Sequence, residues 1–221
     1  MTEPKQWDFD TYDWIAQYDE RMRARDRLCY EAALRALPVL TRAGADDLVL
    51  DVGTGTGNSA VPFLELGCRV LGVDPSEEML KQAQSKVAAY DGRFTVQHLD
   101  DAFARLPLGD QRFDIIIAAY SIHHMDYGVM RGVVRGMKAS LRPGGRIGVA
   151  DTMFRDADHK REMLDTLPDL EDEYHPLLAT FPAMFEDEGL EVTLHQVGPL
   201  VWVLAATAYA AGEMNRSRGA L

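Results

Sequence analysis

Apolar residues recur along the chain in two spacings, one typical of strands and the other of helices. The run Phe113–Ala119 is almost entirely apolar, as in a central strand of a parallel sheet. Residues 22–40 instead carry apolar side chains at intervals of three or four, which predicts a helix. By the same criteria we predict strands at 48–52, 70–73, 94–98, 113–119, 146–150, 191–197 and 200–207, and further helices at 58–66, 76–90, 127–141 and 179–188.

The order of these elements predicts the fold. Strands alternate with helices up to residue 150, an arrangement that builds a parallel sheet with helices on both faces. The last two predicted strands are joined only by Gly198 and Pro199. Because this link is too short for a crossover helix, the two strands should form an antiparallel hairpin. We therefore expect an α/β protein with a doubly wound, Rossmann-like, seven-stranded mixed sheet.

The sequence also favours a single domain. No internal repeat or low-complexity linker interrupts residues 1–221. Within this domain we expect a helical cap at 1–45, a cofactor-binding core at 46–152, a lid and helix at 153–190, and the terminal hairpin at 191–208.

Charge and cysteine content narrow the choice of partner and compartment. Acidic residues outnumber basic ones by 35 to 23, for a formal charge of −12, which argues against a nucleic-acid partner because phosphates would be repelled. Cys29 and Cys68 are the only cysteines, and we expect reduced thiols in a cytoplasmic protein. No apolar signal segment begins the chain, and no apolar run reaches the ~18 residues of a membrane span. A monomer and a homodimer both remain open.

The most informative stretch begins in the first predicted strand. Val49–Val52 runs directly into a turn with glycines at positions 53, 55 and 57, and the next strand ends at Asp74. Glycines in such a turn permit positive φ and a close approach of the backbone to a ligand. An acid at the end of the second strand suits the two hydroxyls of a ribose. This βαβ arrangement predicts a ligand that carries adenosine.

Two other classes of protein fit the same stretch. Nicotinamide-dependent oxidoreductases carry Gly-x-Gly-x-x-Gly at this turn. Counted from Gly53, the third glycine position is occupied by Asn58, and counted from Gly55 it is occupied by Ala60. The chain therefore matches that fingerprint only loosely. The other alternative is a non-catalytic module that binds an adenosyl ligand, such as a sensor or partner subunit, against which the adjacent histidines at 123 and 124 argue mildly.

Five motifs, in order, give the chain a family resemblance. They are Asp51-Val-Gly-Thr-Gly-Thr-Gly57, Gly72-Val-Asp-Pro-Ser76 with Met79, His98-Leu-Asp-Asp101, Phe113-Asp-Ile-Ile-Ile and Leu141-Arg-Pro-Gly-Gly145. Together they resemble the motifs of class I S-adenosylmethionine-dependent methyltransferases. The stretches at 119–124, 149–154, 173–176 and 201–203 further resemble the YrrT-like branch of small bacterial methyltransferases.

The resemblance implies S-adenosyl-L-methionine as the cofactor and assigns residues to its two ends. Asp74 would bind the ribose hydroxyls. Ala119 and Tyr120, at the end of the fourth strand, would face the methionine and the sulfonium, while Tyr18 would close over the cofactor as part of a lid. The residues that would hold the methionine part are Asp51, Gly53, Thr54, Gly55 and Gly57.

The adenine end of the cofactor is assigned in the same way. Asp100 would accept a hydrogen bond from the adenine amino group, with Asp101 and Ala102 beside it, and the choice between the two adjacent acids stays open. Pro75 and Met79 would pack on the adenine face, or they simply belong to the core.

Two adjacent histidines are the candidate catalytic residues. His123 and His124 directly follow the fourth predicted strand, where cofactor and acceptor should meet. In-line methyl transfer mainly needs an aligned nucleophile and the exclusion of water, and histidine suits the role of base if the nucleophile arrives protonated. Alternatively, one histidine caps the next helix and the other contacts the cofactor. Tyr174 and His175 belong either to the lid or to a surface loop.

The expected reaction is methyl transfer to a small molecule, which leaves S-adenosylhomocysteine. A small acceptor is favoured because the segments added to the core are short. The sequence contains no set of histidine, cysteine and carboxylate residues at ligand spacing, so we expect no metal.

Overall fold

The computed structural model describes residues 17–24, 29–90, 92–99, 106, 108–167, 170 and 173–208. Its helices are α1 (Tyr18–Ala24), α2 (Tyr30–Leu40), α3 (Val61–Glu65), α4 (Glu77–Val87), α5 (Tyr127–Ser140), α6 (Ala157–Leu164) and α7 (Phe181–Glu186). Its strands are β1 (Leu48–Val52), β2 (Arg69–Asp74), β3 (Phe94–His98), β4 (Phe113–Ala119), β5 (Leu141–Thr152), β6 (Leu190–Gln196) and β7 (Val201–Ala208). None of the helices in these ranges is long and apolar enough to cross a membrane.

All seven strands form one mixed sheet in the order β3-β2-β1-β4-β5-β7-β6. Strands β1 to β5 are parallel, and β7 is antiparallel to both β5 and β6. The predicted Rossmann-like sheet and its terminal hairpin are therefore confirmed. The strand order reverses between β1 and β4, so the crevice in which such sheets bind ligands lies at the carboxyl ends of these two strands.

Two apolar clusters cover opposite faces of the sheet. Successive side chains of a strand point to opposite faces, and β1 accordingly places Leu50 and Val52 in one cluster and Val49 in the other. The first cluster is closed by α5 and α7, which contributes Phe181. The second is closed by α2 and α3, which contributes Phe63. The helices thus lie on both faces, as predicted.

Several element boundaries differ from the prediction, and three of the differences concern α3, the pair α1 and α2, and β5. The helix expected from Asn58 begins only at Val61, because turns around the glycines continue to residue 60. Residues 22–40 contain parts of two helices, α1 and α2, rather than one. Strand β5 begins earlier than expected because its pairing with β4 jumps from Leu141 to Arg146, so the intervening turn bulges within the strand.

The segment after β5, expected to be a lid, contains the additional helix α6. Asp156 caps this helix by accepting the His159 N–H at 2.8 Å, as a good N-cap residue does. Main-chain hydrogen bonds join the start of the segment to its later part. Phe154 N–H donates to Pro176 O at 3.0 Å, and Leu178 N–H donates to Phe154 O at 2.8 Å.

Candidate active site

The glycine loop that follows β1 has three left-handed glycines. Gly53, Gly55 and Gly57 have φ values of 73°, 53° and 81°. A Cβ at Gly57 would lie 3.2 Å from the Cβ of Ala83 in α4, whereas a Cβ at Gly55 would meet nothing within 4 Å. Gly57 is therefore needed for helix packing as well as for backbone conformation, while Gly55 leaves open space beside its backbone.

Asp51, the last acid before the loop, is fully buried. Its Oδ2 accepts hydrogen bonds from the hydroxyls of Thr54 and Ser59, each at 2.6 Å. Its Oδ1 has no hydrogen-bond partner among the described residues. Burial raises the pKa of Asp51 to about 6 despite the two hydroxyls. A buried acceptor oxygen without a partner is costly, and a cationic donor such as an α-ammonium group would satisfy it.

Asp74, at the end of β2, ties the loop to the start of α4. Its Oδ2 accepts the Gly55 N–H at 2.8 Å, and its Oδ1 accepts the Ser76 N–H at 2.9 Å. The helix cap is Ser76, whose hydroxyl accepts the Met79 N–H at 3.2 Å. Asp74 is therefore not the N-cap of α4.

The structure places only part of the predicted adenine site. Met79 is buried in α4 and Pro75 is half-buried beside it. The carbonyl of Pro75 is 2.8 Å from His98 Nε2. The other three adenine-site residues, Asp100, Asp101 and Ala102, lie outside the described residues.

Helix α1 is bonded to the glycine loop through Asp19, which the sequence reasoning missed. Asp19 Oδ1 accepts hydrogen bonds from Thr56 Oγ1 at 2.7 Å and Asn58 Nδ2 at 2.8 Å, and its Oδ2 pairs with Lys86 Nζ. Burial opposes ionisation of Asp19, but these partners outweigh it and lower its pKa. Tyr18, the predicted lid residue, begins the same helix and packs against the second apolar cluster.

The end of β4 turns sharply into the predicted catalytic segment. Ala119 is the last residue of the strand, and Tyr120 follows with a positive φ of 50°. The buried Tyr120 ring packs against Tyr30 with centroids 5.1 Å apart, and burial raises the pKa of its hydroxyl. Ser121 then donates its hydroxyl to Val52 O at 3.0 Å. This bond joins the end of β4 to the last residue before the glycine loop.

His123 is buried and held by Asp151 at the end of β5. Its Nδ1 donates to Asp151 Oδ1 at 2.6 Å, because an ionised carboxylate can only accept. Its Nε2 lies 3.8 Å from Glu173 Oε1. Burial lowers the basicity of the ring, but the charge and hydrogen bond of Asp151, with the charge of Glu173, raise its pKa to about 9.

His124 and His175 complete a cluster around His123. The rings of His123 and His124 lie with centroids 4.2 Å apart, and those of His123 and His175 5.3 Å apart. Burial, together with the neighbouring His123, lowers the pKa of His124, and burial also lowers the pKa of His175. Asp126 caps α5, so the alternative that a histidine caps that helix is wrong.

The segment between β5 and α7 reaches this cluster through its backbone. Tyr174 donates its N–H to His123 O at 2.8 Å, and Tyr127 donates its hydroxyl to His175 O at 2.9 Å. His175 is only 1% exposed, so the alternative that it lies in a surface loop is wrong. No ligand spacing is present along the chain, yet the fold gathers histidines and carboxylates from the ends of β4 and β5 and from the segment after β5.

Comparison with known proteins supports the assignment of family. A family model described as a methyltransferase domain matches residues 49–145. The uncharacterized methyltransferase YrrT of Bacillus subtilis is 30% identical over 207 residues, which cover 88% of this chain and 94% of YrrT. An uncharacterized methyltransferase of Bacillus pumilus is 31% identical over 205 residues, covering 87% of this chain and 93% of the relative.

Solved structures agree on the fold. A Haloferax volcanii methyltransferase, in complex with the Trm112 methyltransferase activator, superposes with a TM-score of 0.69 at 20% identity, covering 89% of this chain and 96% of the other. Human N-acetylserotonin methyltransferase in complex with S-adenosylmethionine gives a TM-score of 0.67 at 19% identity, covering 89% of this chain and 55% of the other.

These matches agree with the sheet order and with the glycine loop at the carboxyl edge. The chain belongs to the class I S-adenosylmethionine-dependent methyltransferases, in the family that includes YrrT.

Proposed function

We propose that the protein transfers the methyl group of S-adenosyl-L-methionine to a small-molecule acceptor. The observation that carries this proposal is Asp51, a fully buried carboxylate beside the glycine loop with one oxygen left without a hydrogen-bond partner. The α-ammonium group of the cofactor's methionine part would satisfy that oxygen and compensate its charge.

The remaining cofactor contacts are assigned by position around this carboxylate. The loop Gly53–Gly57, with Thr54, would line the methionine part, and Asp74 would accept the ribose hydroxyls. Ala119 and Tyr120 would face the sulfonium, and Tyr18 on α1 would cover the site. For the adenine we propose Asp100, Asp101 and Ala102 together with Pro75 and Met79.

The bound cofactor supplies a methyl group on a sulfonium, which is a good leaving group. The protein's task is then to align the acceptor and to exclude water. The hydroxyl of Ser121 links the loop to the segment that carries His123 and His124, and we place the acceptor on that side. If the acceptor arrives protonated, His124, whose pKa is lowered, would take its proton in the metal-free protein, whereas His123, with a pKa of about 9, already carries a proton at neutral pH.

We further propose a small acceptor in a cytoplasmic protein with no nucleic-acid partner. Among the described residues, the additions to the sheet and its covering helices are α1 and α2 before β1, and α6 between β5 and α7. Such short additions suit a metabolite-sized pocket better than a broad macromolecular interface.

Two binding measurements and one assay test this function. Isothermal titration should give one site for S-adenosylhomocysteine and no measurable binding of NADH. Binding of NADH alone would favour a nicotinamide-dependent oxidoreductase and refute the proposal. A metabolite extract incubated with methyl-labelled S-adenosylmethionine should yield a labelled small molecule that mass spectrometry identifies. Cofactor binding without a labelled product from any extract would favour a non-catalytic module.

A further inference from the structure

Three imidazoles and two carboxylates meet beyond the ends of β4 and β5. His123, His124 and Glu173 each place a donor atom within 4.8 Å of the others, and the same holds for His123, Asp151 and His175. His175 Nε2 lies 3.1 Å from Glu173 Oε2. Ligands about 2.1 Å from a tetrahedral ion lie about 3.4 Å from one another. A small movement of His123, His124 and Glu173 toward one another would therefore form three positions of a coordination sphere.

His175 holds Glu173 in place beside this cluster. Its side chain is 1% exposed, and its Nε2 lies 3.1 Å from Glu173 Oε2, close enough to donate a hydrogen bond. The ring of Phe154 stands edge-on to His175, with centroids 5.3 Å apart, so the imidazole is packed in place. His175 therefore orients the carboxylate whose other oxygen, Oε1, lies 3.8 Å from His123 Nε2.

Asp151 holds His123 in the orientation that a metal ligand requires. Because Nδ1 of His123 donates to Asp151 at 2.6 Å, Nε2 is left as the free donor atom and faces Glu173. Asp151 is itself fixed by the Thr152 N–H at 2.7 Å. A carboxylate that orients a ligating histidine through its second nitrogen is a recurrent feature of metal sites.

We propose that His123, His124 and Glu173 bind one first-row transition-metal dication, and we expect Zn²⁺. Two imidazole nitrogens and one carboxylate form a ligand set that zinc and its neighbours use. Magnesium and calcium prefer sites made of oxygen ligands. The expectation from the sequence that no metal is bound depended on spacing along the chain, whereas these ligands come from two separate segments.

A bound ion would change the chemical role of His123 and His124. It would withdraw His123 and His124 from proton transfer, and it would cross-link the end of β4 to the segment carrying Glu173 and His175. Cofactor binding can be tested separately from the metal site, because the metal ligands do not belong to the glycine loop.

The test uses the full chain after removal of metal with a chelator. Competition with a chromophoric chelator should show uptake of one Zn²⁺ per chain, and Co²⁺ should give the intense visible absorption of a tetrahedral site. Glu173→Gln and His124→Ala should each weaken zinc binding at least about tenfold, and Asp151→Asn about 10–100-fold. His195→Ala, an exposed histidine on β6, is the matched control and should bind zinc like the wild type.

Several outcomes would overturn the proposal. These are the absence of stoichiometric zinc uptake by the wild type, uptake unaffected by both Glu173→Gln and His124→Ala, or displacement of zinc by equimolar Mg²⁺. Circular dichroism of each variant checks that it is folded. Titration of the same metal-free samples with S-adenosylhomocysteine separates the two proposals, because zinc failure with retained cofactor binding refutes only the metal site.

Discussion

Replacing Asp51 with asparagine tests separately how this buried carboxylate affects the stability of the fold and how it affects cofactor binding. The group is fully buried, and its pKa of about 6 compares with an ordinary 3.8. A pKa difference of this size corresponds to at most about 3 kcal/mol of folding free energy. The charged form is the disfavoured one, because burial without a cationic partner raises the pKa.

The sign of the pH dependence follows from the raised pKa. Between about pH 6 and 4 the folded protein holds a proton on Asp51 that the unfolded chain has released, so lower pH stabilises the folded state over this interval. The contribution of Asp51 to the free energy of unfolding is therefore lowest above pH 6 and rises as the pH falls. At pH 7, Asp51→Asn should be at least as stable as the wild type. Below pH 6, its free energy of unfolding should lack the rise that protonation of Asp51 gives the wild type.

Cofactor binding should respond in the opposite direction. The asparagine amide can still accept the hydroxyls of Thr54 and Ser59, but it turns an N–H donor toward the position proposed for the α-ammonium group. We expect S-adenosylhomocysteine to bind about 2–4 kcal/mol more weakly, as when one partner of a buried charge pair is lost.

Urea unfolding at several pH values and isothermal titration measure the two effects. Asp110→Asn, an acid in an exposed turn, is the matched control and should alter neither quantity appreciably. Wild-type affinity for S-adenosylhomocysteine in Asp51→Asn would refute the assignment of the ammonium site. A loss of more than about 2 kcal/mol of stability at pH 7 would refute the account of the carboxylate as destabilising.

Three further substitutions probe the loop. Asp74→Ala should weaken S-adenosylhomocysteine binding by about 1–3 kcal/mol, measured by titration; unchanged affinity would remove Asp74 from the site. Gly57→Ala should lower the free energy of unfolding by about 1–3 kcal/mol, because its φ of 81° is strained for alanine and its Cβ would press on Ala83; a urea titration that gives wild-type stability would contradict this packing. Asp19→Ala should increase hydrogen exchange in α1 and the loop, since it removes the bonds to Thr56 and Asn58; unchanged protection would show that packing alone holds α1.

The sheet was predictable because its strands are marked by apolar runs and its crossovers by turn residues. β3 and β4 were predicted with the bounds that the structure has, and the link at Gly198 and Pro199 was enough to predict the hairpin. Helix α3 was predicted too long because apolar spacing does not reveal that the glycine turns continue to residue 60.

The parts of the site that depend on tertiary contacts were not predictable from spacing. Asp19 is one acid among several in an acidic segment, and only its bonds to the glycine loop distinguish it. Glu173 and His175 lie in a charged segment without periodicity. They reach His123 because the Tyr174 N–H bonds to its carbonyl, a contact that no side-chain pattern encodes.

That main-chain bond makes the frame around His123 largely independent of the side chains that it carries. The frame that brings the lid segment to the end of β4 consists of backbone groups: Tyr174 N–H on His123 O, and the paired bonds between Phe154 and its neighbours Pro176 and Leu178. Backbone bonds persist whatever side chains flank them. Substitutions at residues 173 and 175 would therefore change the chemical groups beside His123 without removing the backbone frame that holds this segment there.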